Sequence, residues 1–410
     1  MANPVYVLGG AQTDFARNFG REGLELHQIV GETVDVVLAS AEVEPAAIGS
    51  IHVGNAFGEL FSAQSQLGAM PATGDDRFWG KPATRHEAAC ASGSVAVLSA
   101  MAEIEAGRHD CVLVLGVEQQ RNVSGDVAGA HQATAAWVGH DAVGQRYVWA
   151  HEFNRLAEEY DRRFGLRYEH IARIAEVNLE NARRNPNAQT RKWTFDERSF
   201  TEDDTANPVV HGRLRRQDCG QVTDGAAGFL LASAEFAAEH AARVGVPVTE
   251  LPRIAGWGHR VASLSLEAKL ARSADEPYIL PHLRGAITDA YARAGISGPS
   301  DVDAIETHDC FSINEYMAID HFGITEPGES WKAVEGGWIE LGGRIPVNPS
   351  GGLIGSGHPV GATGIRMVVD AAKQVSGNAG DYQVAECRRA ATLNVGGSAT
   401  TVVSFVVEAG

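Results

Sequence analysis

The chain predicts an α/β protein of two similar halves with a mostly helical insert, and three observations carry this. Short apolar, β-branched runs alternate with helix-period runs through residue 118 and again after the middle of the 410-residue chain. Between those stretches the texture turns polar and strand-poor. A Gly- and Ser-rich turn opening a small-residue helix then occurs twice, as "CASGSVAVLSAM" and "GHPVGATGIRMV". The expected division is residues 1–118 with 216–270 as the N-terminal half, 119–215 as the insert, and 271–410 as the C-terminal half.

Each element has a local reason. "VYVLGG" is an apolar strand ended by two glycines, and "LELHQIVGETVDVVLASA" carries Leu26, Ile29, Val30 and Val37 near helical spacing. "SIHVGNAF" and "DCVLVLGVE" are strands, with the helix "ACASGSVAVLSAMAEIEAG" between them. In the insert, helices are predicted from about His151 to Phe164 and from about Tyr168 to Arg183, the second ended by "RRNPNAQ". "TDGAAGFLLAS" resumes the buried strand pattern. In the last part "ILPHLRGAITDAYARAG" is an amphipathic helix and "DVDAIET" a strand. "SINEYMAIDHFG" is a helix stopped by Gly323, "GATGIRMVVDAAKQVSG" another helix, and "ATLNVGGSATTVVSFVVE" a closing hairpin. The sparse charge of "SVAVLSAM" suggests a buried interface between two chains.

Composition excludes several function classes. Lys plus Arg is 34 and Asp plus Glu is 52, so the net charge is 34 − 52 = −18. Such a chain is a poor ligand for nucleic acid and for anionic membranes. No apolar run reaches membrane-spanning length. "MANPVYVLGGAQ" lacks the features of a signal peptide and "VVEAG" is not a peroxisomal signal, so a cytoplasmic protein is expected. The five cysteines, Cys90, Cys111, Cys219, Cys310 and Cys387, are odd in number and never in C-x-x-C spacing, which argues against a zinc knuckle or disulfide framework. His86, His211 and His259 have no metal-site spacing, and no metal is expected.

Two residues stand out as chemistry. Cys90 sits between a strand and a helix among Ala88, Ala89, Ala91, Ser92 and Gly93, where small side chains allow a tight turn. A thiol at a helix N-terminus is expected to have a lowered pKa. His358 lies in "NPSGGLIGSGHPVGATG", whose glycine density implies close backbone approach, and a neutral imidazole is suited to take a thiol proton.

With "ACASGS", "GHPVGATG" and the polar insert ending in "NPNA", the chain resembles the thiolase superfamily along nearly its whole length. The resemblance implies an αβαβα layered core of two halves, a loop domain covering coenzyme A, and a homodimer or homotetramer. It implies acyl transfer between coenzyme A thioesters, with Cys90 as nucleophile and His358 as its base. Coenzyme A and acyl-CoA are then substrates, with no permanently bound cofactor.

Two departures from the family pattern matter. Most thiolases carry Asn-Glu-Ala-Phe where this chain has His308, Asp309, Cys310 and Phe311, and a second catalytic cysteine where it has Asn394 in Asn394-Val395-Gly396. The sterol-carrier-type thiolases and related archaeal ones are similar in this respect. By that resemblance Cys310 moves the α-proton, His308 donates to an oxyanion, and the backbone N–H groups of Cys90 and Gly396 form a second oxyanion hole. Arg213, Arg215 and Arg216 are candidates to meet the phosphates of coenzyme A. Two rival readings remain in view. A thiolase-fold carbon–carbon lyase with a small partner protein is opposed by Cys90, and a non-catalytic acyl-CoA-binding relic is suggested by Asn394.

Overall fold

The structure, a computed structural model, describes residues 4–409. In chain order the strands are β1 (Val5–Gln12), β2 (Ser50–Gly54), β3 (Ala83–His86), β4 (Cys111–Glu118), β5 (Val209–His211) and β6 (Leu214–Arg215). They continue with β7 (Gly225–Ala232), β8 (Pro252–Val261), β9 (Ala304–Thr307), β10 (Arg389–Gly396) and β11 (Thr401–Ala409). Nine of these form one hydrogen-bonded series, β3-β2-β4-β7-β1-β8-β11-β10-β9, while β5 and β6 pair separately in the insert.

The series is two copies of one pattern. β1 runs antiparallel to β7, β7 antiparallel to β4, and β4 parallel to β2. Likewise β8 runs antiparallel to β11, β11 antiparallel to β10, and β10 parallel to β9. The faint sequence similarity of the two series is therefore a repeat of topology. The copies join through two residue pairs, Val5 with Ile254 and Tyr6 with Arg253. Here the structure departs from the division by sequence. The strand Pro252–Val261 fell in the N-terminal half, yet its long ladder is with β11. β8 lies between β1 and β11, and its ten residues give no local sign of which neighbour takes the longer ladder.

Helices fill three layers. The helices that matter are α1 (Leu26–Ala41), α2 (Ser92–Glu105), α3 (Val148–Phe164), α4 (Tyr168–Ala182), α5 (Pro281–Ala294), α6 (Ser312–Phe322) and α7 (Val360–Val375). β4 is buried at every position, and its side chains alternate between two cores. Leu113 and Leu115 face Ile29, Val30 and Val34 of α1, on the outside. Val112 and Val114 face the middle, where Ala96, Val97 and Ala100 of α2 meet Ile365, Val368 and Val369 of α7. Val403 and Phe405 of β11 close that core from the other side. Ile287 of α5 and Ile313 and Tyr316 of α6 cover the opposite face of the second copy. The result is helix, sheet, helix, sheet, helix.

Two further findings position the site. The buried face of α2, with Ala96, Val97 and Ala100, packs on α7 of the same chain, while Val95 and Leu98 of the run "SVAVLSAM" stay partly exposed. The insert docks on the second copy, with Phe153, Leu156 and Tyr160 of α3 and Ile171 and Ile174 of α4 sharing a core with α6. α7 is enclosed on nearly all sides, and its Arg366 guanidinium is neutralised by Glu306 at 3.1 Å and Asp370 at 2.8 Å. No helix among the described residues is long and apolar enough to cross a membrane.

Candidate active site

Cys90 stands in the turn between β3 and α2. Ala89 adopts φ +51°, a conformation a non-glycine residue rarely takes, and two side chains hold it there. Glu87 accepts the Ala89 N–H at 2.6 Å, and Ser92 Oγ accepts the Ala88 N–H at 2.9 Å while donating to Ala89 O at 2.6 Å. The turn thus presents Cys90 toward the seam between the two copies.

His358 follows the short helix Gly352–Ser356 and precedes α7. Thr223 Oγ1 accepts its backbone N–H at 2.9 Å. Its ring Nδ1 lies 2.7 Å from Thr363 Oγ1, and that hydroxyl donates to Pro359 O at 3.1 Å. The hydroxyl has one proton, so it accepts from Nδ1–H, which leaves Nε2 with a free lone pair.

His308 and Cys310 leave the end of β9. Asp309 between them accepts the N–H groups of Leu353 at 2.5 Å and Ile354 at 3.1 Å, tying this loop to the loop that carries His358. A Cβ on Gly352 would lie 2.4 Å from the Asp309 carboxylate, so only glycine permits that clamp. Asn314 donates to the Cys310 sulfur at 3.3 Å.

These loops converge. Cys90 Sγ and one ring nitrogen each of His308 and His358 lie within 4.8 Å of one another. The two imidazoles meet edge to face with centroids 5.1 Å apart. Cys90, Cys310 and His358 line one cavity of about 90 Å³, walled by Phe57, Trp149, Phe153, Phe311, Val222 and Val360. Phe153 comes from the insert and Phe311 from the second copy, with ring centroids 4.7 Å apart.

Burial dominates the electrostatics. It pushes the Cys90 thiol up to about 12, against an opposing hydrogen bond from the Gly397 N–H. The lowered thiol pKa expected from the helix N-terminus is thus overturned, because no cation offsets the desolvation. Burial, and then the Arg366 charge, push His358 down to about 3. His308 is held well below its usual value by burial, then by His358. Cys310 is held well above the usual thiol range by burial, then by proximity to Cys90. At neutral pH the resting site is therefore a set of uncharged thiols and imidazoles. The same three donors could hold a thiophilic divalent cation by residue type, but nothing in the proton chemistry above requires one.

Of the residues singled out in sequence, Cys90, His308, Cys310 and His358 are brought together. Gly396 lies beside them, packed against Ala88, but the neighbouring Gly397 is the one that lines the cavity and reaches the thiol. The three arginines are elsewhere. Arg213 pairs with Asp161, Arg215 with Asp204 at 2.7 Å and the Asn207 carbonyl at 2.8 Å, and Arg216 with the Ala206 carbonyl at 2.9 Å. Arg213 and Arg215 line a separate pocket with Tyr168. Thr363, Asn314 and Glu118 escaped the sequence reading. Glu118 accepts the N–H groups of Ala56, Phe57 and Gly361 at 2.9–3.1 Å, pinning α7 to the first copy. Thr363 could have been found, since it lies about one helical turn after Pro359 in "GHPVGATG".

Comparison with known proteins places the chain in a family. Residues 5–235 match the family "Thiolase, N-terminal domain" and residues 267–409 match "Thiolase C-terminal domain-like". An acetyl-CoA acetyltransferase of Methanothermobacter thermautotrophicus is 32% identical over 404 residues, covering 98% of each chain. Sterol carrier protein 2 of Bos taurus is 30% identical over 420 residues, covering 99% of this chain and 72% of that protein. Among solved structures, the Ltp2-ChsH2(DUF35) aldolase has a TM-score of 0.79 at 21% identity, covering 99% of this chain and 98% of that one. Acetyl-CoA acetyltransferase of Syntrophomonas wolfei has a TM-score of 0.69 at 17% identity, covering 100% and 99% of the two chains. The two family matches, in sequence order along a chain whose strands repeat in two copies, show that it belongs to the thiolase family.

Proposed function

We propose that the protein is an acyl-CoA C-acyltransferase that makes or cleaves a 3-ketoacyl-CoA through a Cys90 acyl-enzyme. The observation that carries this is the convergence of Cys90, His308 and His358 within 4.8 Å, with Cys90, His358 and Cys310 lining one largely apolar cavity. In thiolysis His358 Nε2 takes the Cys90 proton as sulfur attacks the 3-keto carbon. The carbon–carbon bond breaks, and the departing acetyl-CoA carbanion takes a proton from the Cys310 thiol. The thiol of coenzyme A then gives a proton to Cys310 and attacks the Cys90 thioester, while His358 returns its proton to Cys90. Condensation is the reverse, with the Cys310 thiolate removing the α-proton of acetyl-CoA.

A neutral Cys–His pair suits this scheme, because charge appears only when substrate fills the cavity and is met there by donors. His308 and the backbone N–H groups near Cys90 and Gly396 supply them. Coenzyme A enters as substrate, and its phosphates need cations other than the internally paired Arg215. A homodimer or homotetramer is expected by family resemblance, and sedimentation tests it.

The decisive experiment is acyl labelling. Incubation with 3-ketoacyl-CoAs of short, long and bulky chain should add the acyl mass to the peptide carrying Cys90. Carbon–carbon cleavage with no mass on Cys90 would instead indicate a lyase of the retro-aldol kind.

A further inference from the structure

Asn394 occupies the place where most thiolases would carry a second cysteine, and the structure gives it a definite task. Its Oδ1 lies 2.9 Å from Ser94 Oγ, and its Nδ2 lies 3.1 Å from His308 Nδ1. All three residues are buried, at 1%, 1% and 2% exposure for Ser94, Asn394 and His308. Ser94 belongs to α2 of the first copy and Asn394 to β10 of the second, so the chain of contacts crosses the seam of the molecule. The approach is close enough to require glycine next door. A Cβ on Gly364 would lie 2.2 Å from Ser94 Oγ and 2.4 Å from Asn394 Oδ1.

Proton positions follow from counting donors. Among the described residues the Ser94 hydroxyl makes no other hydrogen bond, so its proton goes to Asn394 Oδ1. The amide orientation is then fixed, and Nδ2 is the group that faces His308. An amide nitrogen only donates, so His308 Nδ1 must offer its lone pair. The ring is uncharged, because burial and His358 oppose a second proton. Its single proton therefore sits on Nε2.

We infer that Asn394 is a positioning residue that sets the tautomer of His308, keeping an N–H donor on Nε2, the ring nitrogen that the amide does not hold. The inference rests on the proposed role of His308 as oxyanion donor. It explains why an amide serves at this position. A carboxylate would accept from Nδ1–H and turn a lone pair, instead of a proton, toward the developing oxyanion. The analogous tautomer error in a serine protease triad is severe.

The test is histidine ¹⁵N NMR on the full chain together with steady-state thiolysis, both at about pH 9 so that the ring carries one proton. In the unmutated protein His308 should be protonated at Nε2 and bare at Nδ1. Asn394→Asp should move the proton to Nδ1 and lower kcat by about 10²–10³, the usual worth of one oxyanion donor. KM should change little, and alkylation of Cys90 should be unaffected, since His358 is untouched. Asn394→Leu, which neither donates nor accepts, should give both tautomers and a kcat between the two. Should Asn394→Asp fail to fold, Ser94→Ala frees the amide to turn over and should likewise mix the tautomers. A His308 protonated at Nδ1 in the unmutated protein would overturn the inference. So would full kcat in an Asn394→Asp protein whose tautomer has inverted, or losses that follow melting temperature with the tautomer unchanged. His308→Ala with undiminished kcat would instead remove the oxyanion role and leave the NMR result standing.

Discussion

Thr363 Oγ1 lies 2.7 Å from His358 Nδ1 and is itself spent on the carbonyl of Pro359. A hydroxyl so placed can only accept from the ring, so it keeps the basic nitrogen of His358 pointed away from α7. Thr363→Val preserves shape and removes that acceptor. The acylation rate of Cys90 should fall by about 10²-fold, the lower end of what a well-placed general base is worth. Stopped-flow measurement of CoA release in the first turnover reads this step, and an unchanged rate would show that the tautomer is held by something else.

The pH dependence of Cys90 follows from two opposed displacements. Burial lifts the thiol to about 12 and lowers His358 to about 3, so neither group titrates between pH 6 and 9. Without substrate, the rate of carbamidomethylation by iodoacetamide should rise with pH across this window, since the thiolate fraction grows about tenfold per unit. A plateau beginning below pH 8 would reveal a resting thiolate–imidazolium pair.

Cys310 should be separable from Cys90. It lies in the same cavity, but its sulfur is held by Asn314 and not by either histidine. Cys310→Ala should slow exchange of the acetyl-CoA methyl protons with deuterium by about 10²–10⁴. Cys90 in that variant should remain alkylatable at the unmutated rate. Exchange as fast as in the parent protein would place the base on another group.

Stability should depend on the acid cluster behind the site. Glu315 is buried, with Oε2 accepting from Asn178 at 2.6 Å and Asn348 at 2.7 Å and Oε1 without a partner. Burial, and then Asp309, raise its carboxyl from 4.5 to about 8. A carboxyl raised in the folded state favours folding fully below about pH 4.5, and that contribution is lost as pH climbs toward 8. Glu315→Gln removes the charge and keeps an oxygen that can accept from Asn178 and Asn348. The variant should melt higher than the parent at pH 8.5, with the difference shrinking toward pH 5. A constant difference at both pH values would exclude Glu315 as the titrating group.

What the sequence disclosed and what it hid divide by range. Cys90 and His358 were legible because each sits in a short motif whose small residues and glycines announce a tight turn. The "HDCF" run was legible because it stands at the end of a strand. The role of Asn394 was not, because its partners Ser94 and His308 lie 300 and 86 residues away. The charge state of Cys90 was hidden for a related reason. The helix N-terminus beside it is visible in the sequence, whereas the desolvation that outweighs it comes from segments across the whole chain. The pairing of Arg213 with Asp161 and of Arg215 with Asp204 was hidden in the basic run at 213–216, because the first partner is distant in sequence and the second unremarkable.

The insert leaves β4 after Glu118 and returns to β7 at Gly225, and these two residues are paired in register. Its ends are therefore neighbours, fixed by a ladder that the insert does not help to build. Lengthening a loop anchored in this way costs little, since closure entropy grows only with the logarithm of its length. Cys90, His308, Cys310 and His358 all lie outside this segment, while Trp149 and Phe153 of the cavity wall lie inside it. Selection can thus rebuild this part of the cavity wall, by whole-segment exchange or drift in length, while Cys90, Cys310 and His358 stay where they are. A chimera carrying the insert of a relative should inherit that relative's acyl preference on an unchanged chemical engine.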